Sequence, residues 1–195
     1  MAGVKSSQVY LPSPDQSGTV GAVATAALST TAPTDARTAL ASAWTTGGYV
    51  SEDGITLSLN RSLTTIKDWS QASVRKALSE FDGTLQFSML QVDEWGAKEM
   101  FGSTNVTKTA ANSTHGEQLK ISIGAELAPA KSWCFSMKDE NRRVRVYLPN
   151  AQVTELGDVQ FVPTAGNVYP CTISAYPDAT GKSIYVFYDD GVATS

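Results

Sequence analysis

Few side chains in this sequence are equipped for chemistry. The 195 residues include one histidine, His115, and two cysteines, Cys134 and Cys171. One imidazole cannot build a multi-histidine metal site, and two distant thiols cannot complete a four-ligand zinc site. Nucleophilic catalysis needs a Ser or Cys beside a base, yet the sequence has no Gly-x-Ser-x-Gly elbow. His115 lies in a polar run, STNVTKTAANSTHG, where nothing would hold its ring, so it reads as a solvated loop histidine. The carboxylate pairs Glu52/Asp53, Asp139/Glu140 and Asp189/Asp190 all fall at expected strand ends or turns. There they are ordinary turn formers, and the ligand spacing of a Ca²⁺ loop is missing. A small hydrolase using such paired carboxylates is the enzymatic alternative. Phosphate-binding glycine motifs are absent, and no cofactor or metal is expected.

One basic run stands out, Arg142-Arg143-Val144-Arg145. On a strand, Arg143 and Arg145 share a face and Arg142 points away. Without an aromatic ladder it does not read as a nucleic-acid site. It reads as an outward strand, or as a partner for acidic groups on a neighbouring subunit.

The elements that would position these residues can be read from periodicity. Residues 1–32 are polar, small and Pro-punctuated and read as an extended arm, with a short strand near Val20–Ala24. Residues 33–195 read as one domain. Pro33-Thr34-Asp35 signals a first, flanking helix with Ala36, Leu40, Ala43 and Trp44 as its apolar stripe, stopped at Gly47-Gly48. Glu52-Asp53-Gly54 reads as a tight turn before Ile55–Leu59. Ser73 to Gln91 reads as a long strand region with Leu85, Phe87 and Met89 on one side, interrupted at Asp82-Gly83 by a bulge or a turn. A short helix follows, capped by Asp93 and ended by Gly102, with Ala97, Met100 and Phe101 buried. Ser103–Gly116 reads as a long polar loop, a kind that is usually functional or disordered.

The remainder alternates. Leu119/Ile121/Ile123, Trp133/Phe135/Met137, Val144/Val146/Leu148, Val159/Phe161, Tyr169/Cys171/Ile173/Ala175 and Ile184–Tyr188 each suggest half-buried antiparallel strands. Pro170 suggests an edge or a bulge. Tyr176-Pro177-Asp178 suggests a turn. The fold class expected is mainly β, an antiparallel β-sandwich or barrel with one flanking helix and one short helix.

Composition narrows the role. Charged residues make up 17%, against about 25% in ordinary soluble domains. The net charge is -4. Low charge leaves surface suited to burial against other copies. The N-terminus lacks the apolar core of a signal peptide, and Thr19–Leu28 is too short to cross a bilayer. Reduced thiols are therefore expected, with Cys134 and Cys171 acting as small buried hydrophobes. The three Asn-x-Ser/Thr sequons, at Asn60, Asn105 and Asn112, read as chance in a Ser/Thr-rich chain.

The order of segments carries a resemblance. A small-residue arm leads to Pro-Thr-Asp-Ala, then Gly-Tyr-Val-Ser-Glu-Asp-Gly and Thr-Ile-Lys-Asp-Trp. Next come Glu80-Phe81-Asp82-Gly83-Thr84-Leu85-Gln86-Phe87, the helix ending Met100-Phe101-Gly102, and the polar loop. Asn141-Arg142-Arg143-Val144-Arg145-Val146, Pro149-Asn150-Ala151-Gln152-Val153 and Ser174-Ala175-Tyr176-Pro177-Asp178 close the series. From about Ser17 to Tyr188 this resembles the major tail (tail tube) proteins of long-tailed, non-contractile bacteriophages, especially those infecting actinobacteria.

The resemblance implies a structural, non-enzymatic virion protein of the tail-tube β-fold, made in the bacterial host cytoplasm. Six copies would form a ring, and rings would stack into a tube around a tape-measure protein, with tail terminator and tail-tip proteins at its ends. Viral DNA would pass through without specific binding. The C-terminal immunoglobulin-like domain appended in some relatives is not expected here, and with it no surface-decoration role. Val9, Tyr10 and Leu11 of the arm, Asn105, Val106 and Thr107 of the loop, and Arg143 and Arg145 are the candidate subunit and ring contacts. Head-to-tail contacts close around one axis and stay open along another, and strand edges exposed in a monomer can pair across subunits. The arm and loop could order on contact with the next ring. An acidic wall would keep phosphates from sticking. The alternative is a ligand-binding β-sandwich on a virion or cell surface, using Trp69, Trp95 or Trp133.

Overall fold

A computed structural model describes residues 8–15, 21–162 and 166–192. Eleven strands and one helix are present among these residues: β1 (Ser13–Pro14), β2 (Val23–Ala26), β3 (Thr45–Gly47), β4 (Val50–Lys67), β5 (Ser73–Met89), α1 (Glu94–Phe101), β6 (Val106–Thr109), β7 (Gln118–Ile121), β8 (Lys131–Asp139), β9 (Arg142–Leu156), β10 (Tyr169–Tyr176) and β11 (Tyr185–Asp189). Nine strands make one antiparallel sheet in the order β3-β2-β8-β9-β10-β5-β4, with β1 added to β8 and β11 to β9; β6 and β7 form a separate hairpin. The sheet folds over on itself. Phe87 of β5 lies 5.2 Å, centroid to centroid, from Phe135 of β8, although two strands separate them in the sheet order. This makes a β-sandwich whose core holds Leu85, Phe87, Met89, Phe135, Leu148 and Ile173.

The short helix forms as its sequence predicts. Asp93 accepts from the Gly96 amide, and Gly102 ends the helix at φ 87°. Met100 enters the core. Gly48 sits at φ +76°, and a Cβ there would stand 2.4 Å from Met89 Cε, so glycine is required on both counts.

The flanking helix expected over 33–46 does not form. Its residues cross the outer face of β8 and β9 as an irregular strap with bends over 35–38, before β3. Ala36 and Trp44 are buried and Leu40 is partly so, while Ala43 is exposed. The Asp35 carboxylate takes the amides of Arg37 and Thr38, and Arg145 takes the carbonyls of Asp35 and Thr38. A helix would need those same carbonyls for its own amides, so side-chain bonding outcompetes it. With Trp44 packed on Tyr147 at 6.0 Å, the strap makes a second apolar cluster. β8 and β9 are thus buried on both faces, not half-buried as alternation suggested; Cys134 and Tyr147 fill the outer side.

Other expectations also change. Glu52-Asp53-Gly54 is not a turn but an irregularity inside β4, where the register jumps from Val50↔Met89 to Ile55↔Phe87. The ladder runs undisturbed through Asp82-Gly83, and the bulges lie at Ser79, between Ser62↔Glu80 and Leu63↔Leu78, and at Val74, between Ile66↔Arg75 and Lys67↔Ser73. Ser103–Gly116 is not a structureless loop. It holds a 3-10 turn at Ser103–Asn105 and strand β6, which pairs with β7. No strand forms at Val159 or Phe161, and Phe161 is 74% exposed. β10 is interior, paired with both β5 and β9; Pro170 is tolerated because pairing with β9 starts only at Cys171. Within the stretch expected as an arm, Val23–Ala26 are buried between β3 and β8, and Val20 lies outside the described residues.

Candidate assembly surface

β4 and β5 outrun the sheet. β10 accompanies β5 only as far as Ala175↔Gly83, and past that rung, out to Lys67↔Ser73, β4 and β5 pair only with each other among the described residues. At about 3.3 Å per residue this ribbon projects nearly 30 Å. Asp68 builds the tip: its carboxylate accepts from Ser70 Oγ and the Ala72 amide, and its backbone amide donates to the Ala72 carbonyl. These bonds hold the Asp68 carboxyl below its ordinary range, the Ser70 hydroxyl contributing most.

The ribbon is two-faced. Residues directly opposed across a ladder share a face. Leu57/Leu85, Leu59/Gly83, Arg61/Phe81 and Leu63/Leu78 lie on the side that continues the core. Ser58/Thr84, Asn60/Asp82 and Ser62/Glu80 lie on the other. The apolar stripe is uncovered: Leu59, Leu63 and Leu78 are each more than half exposed, and Arg61 lies 5.9 Å from the centre of the Phe81 ring. At the tip, Trp69 is fully exposed.

Where the stripe meets the body, a groove of about 570 Å³ opens. Ile55, Leu57 and Leu85 form one wall, Met137, Val144, Val146, Val186 and Tyr188 the other, and Gln8, Tyr10 and Pro12 close one side. It is lined by apolar and uncharged residues alone.

The predicted contact residues fall into two groups. Val9, Tyr10 and Leu11 are strapped to the β8–β9 hairpin. Arg142 donates to the Val9 carbonyl and to Asp139, and its guanidinium lies 5.8 Å from the centre of the Tyr10 ring. The Leu11 amide donates to the same Asp139, and Tyr10 packs on Tyr188 at 5.5 Å. Val9 and Leu11 point to solvent, 63% and 78% exposed. Arg143 joins this group through Asp15 at 3.5 Å. Arg145 is buried, with its donors on Asp35, Thr38 and Ser136 inside the subunit.

The second group serves α1. Asn105 donates to the Phe101 carbonyl at the helix end, Val106 is buried, and Thr107 is exposed. Lys108 bridges Glu94 and Glu117, which raises its own pKa. Among the described residues no hydrogen bond or ion pair links this group to the arm.

The groups singled out for chemistry lie at separate places in the fold. Glu52/Asp53 sit in the β4 irregularity and Asp139/Glu140 at the β8–β9 turn. Asp189 pairs with Arg37 at 2.8 Å, which lowers its pKa. His115 closes a small turn with Asn112 and the Gly116 carbonyl. Among the described residues no group of three His, Cys, Asp or Glu side chains could hold a metal ion. No helix there is long and apolar enough to cross a membrane. Trp133 is a core residue stacked on Phe135, and Trp95 is half-buried against the core.

Residue-by-residue reading missed the ribbon as a site. The signal was present in Leu57, Leu59, Leu63 and Ile66, and in a Trp set among Lys, Asp, Ser and Gln. Apolar residues on a strand ordinarily face the core, which hides that signal.

A comparison with curated proteins gives no match. A family model described as phage tail tube protein matches residues 16–194. This chain, with its sandwich body, projecting ribbon and open apolar groove, belongs to the phage tail tube proteins, structural components of the virion tail.

Proposed function

We propose that this chain assembles into hexameric rings, that the rings stack into the tail tube, and that the tube is the conduit for DNA ejection. The observation that carries this reading is the uncovered apolar stripe Leu59–Leu63–Leu78 on a ribbon that, among the described residues, pairs with no further strand. Exposed apolar patches of this kind mark interaction surfaces. Ribbon and groove are different surfaces on one subunit, so contact between them is head-to-tail, the geometry of rings and filaments.

Val9, Tyr10, Leu11 and Thr107 belong to the subunit contacts, with Asn105, Val106, Arg143 and Arg145 holding the local frames behind them. The tape-measure protein fills the lumen during assembly, and terminator and tip proteins close the ends. DNA slides past a chain of net charge -4 without specific contacts. Synthesis takes place in the host cytoplasm.

Negative-stain microscopy of the purified chain, with sedimentation over a concentration series, tests the assembly. Six-fold rings and hollow tubes are expected above a threshold concentration. A chain that stays monomeric at high concentration and retains glycans would instead be the ligand-binding module.

A further inference from the structure

We infer that Trp69 is an anchor that enters the apolar groove of a second copy of this chain. The inference rests on the assembly reading above and names the contact that carries it.

Trp69 is the least accountable residue in the subunit. It is fully exposed, at the end of a well-formed turn, where a polar residue would serve the turn equally well. A Trp buries roughly 150–250 Å² when it finds a pocket, and such residues dominate interface energetics. The groove matches it in chemistry and has room to admit it. Its volume is about 570 Å³ and its lining is uncharged, with Leu57, Met137, Val144, Val186 and Tyr188 among the walls.

The subunit cannot satisfy itself. Leu57 and Leu85 line the groove at the ribbon's root. Trp69 lies beyond Lys67↔Ser73, on the order of 30 Å further along a paired ribbon that cannot bend back on its own base. A groove that receives Trp69 must therefore belong to another molecule.

Charge selects a second copy. The ribbon's outer part, residues 63–78, carries Lys67, Arg75 and Lys76 against Asp68, a net +2 on a chain of net -4, while Arg61 nearer the root stands with Glu80 and Asp82. The remainder of the chain therefore carries -6. Among the described residues none of the four ribbon cations forms an ion pair, although seven of the body's Lys and Arg do. Beside the groove, Arg142 on the Tyr10 ring is paired with Asp139 and Asp189 is paired with Arg37, whereas Asp190, two residues after Tyr188, forms no ion pair among the described residues. A cationic tip with an apolar anchor thus faces an anionic body with an apolar hole. One such contact per copy is heterologous and propagates.

The test uses the full chain. Ser70→Cys and Val186→Cys are made separately, which leaves Trp69 in place; Cys134 and Cys171 are buried and stay silent. On mixing and assembly under mild oxidation, a disulfide-linked pair should form between the two variants and not within either alone. Trp69 emission should shift to the blue on assembly. Trp69→Ala should raise the threshold concentration about tenfold or more, with monomer circular dichroism unchanged because the side chain is fully exposed. Tubes that form at the wild-type threshold in Trp69→Ala, with no 70–186 cross-link, would overturn this contact and leave the assembly reading intact. A wild-type chain that never assembles would overturn both.

Discussion

Leu63 and Leu78 face each other on the outward-reaching ribbon, 57% and 58% exposed, just past the unpaired Ser79. The extra residue decides which way Leu78 points. Along β5 the side chains alternate, so an unbroken ladder would set Ser79 opposite Leu63 and turn Leu78 to the polar side. The bulge restores the parity, and its Ser79 hydroxyl donates to the Ser62 carbonyl at 2.9 Å. Bulges commonly re-aim side chains at working surfaces. This one extends the apolar stripe toward the tip.

The first prediction concerns that pair. Replacing both residues with serine should leave the monomer's stability within about 0.5 kcal/mol, because neither side chain is buried. Assembly should weaken strongly, since full burial of each Leu contributes roughly 1.5–3 kcal/mol. Urea denaturation of the monomer and sedimentation of the polymer separate the two effects. Equal loss in both would place the pair inside the fold and not at an interface.

Parts of this fold were legible because one local rule decided them. Asp93 and Gly102 bracket a helix whatever surrounds it, and Phe87, Phe135 and Ile173 alternate into a core. The strap over 33–44 was illegible because Arg145, far along the chain, supplies the competing bonds. The ribbon was illegible for a related reason. Alternation tells which residues share a face, but only sheet topology shows that β10 stops at Ala175 and leaves that face bare.

Arg145 should be a large single contributor to stability. It is 6% exposed and its Nη1 donates to the Asp35 and Thr38 carbonyls at 2.7 and 2.9 Å. Arg145→Met keeps the stem and removes two hydrogen bonds from a charged donor, which contribute about 1.5–3 kcal/mol each. A loss of about 3 kcal/mol in urea denaturation is expected, with faster proteolysis within 33–44. Arg145→Lys should recover only part of it, because one ammonium cannot reproduce the planar fork.

Acid should weaken the fold through Asp35 and Asp178. Thr38 and the Arg37 amide hold the Asp35 carboxyl far below the usual carboxylate range. Tyr185 and Thr180, followed by the Lys182 amide, do the same for Asp178. The folded chain then binds these protons less readily than the unfolded one, so stability is complete above about pH 4 and falls as pH drops below it. Thermal melts from pH 6 to pH 2 should show that decline. Asp35→Asn and Asp178→Asn should each flatten it, and an unchanged acid limb in both would remove these groups as its cause.

The two thiols should be silent until the chain unfolds. Burial pushes Cys134 up to about 11 and Cys171 up to about 12. At pH 8 neither presents a thiolate, and neither is accessible. A thiol reagent should label none in the native monomer and both in urea. Stability should also fall as pH rises above about 9, where the unfolded thiols ionise and the folded ones do not.

Glu99 and Lys131 should prove strongly coupled. Lys131 Nζ stands 2.6 Å from Glu99 Oε1, tying α1 to the first residue of β8, and the Glu99 side chain is only 6% exposed. Its other oxygen, Oε2, is buried without a hydrogen-bond partner among the described residues. Removing the lysine alone therefore strands a carboxylate with neither oxygen compensated, and Lys131→Met should cost about 3 kcal/mol or more. Removing both charges avoids that penalty. Glu99→Leu with Lys131→Met should lie closer to the wild type than Lys131→Met alone, since a buried pair is often replaceable by apolar side chains of similar volume. Denaturant titrations of the two singles and the double close the cycle. A double variant as unstable as the sum of the singles would show that the two residues act independently, and that α1 is held by Met100 and Trp95 without help from the charge pair.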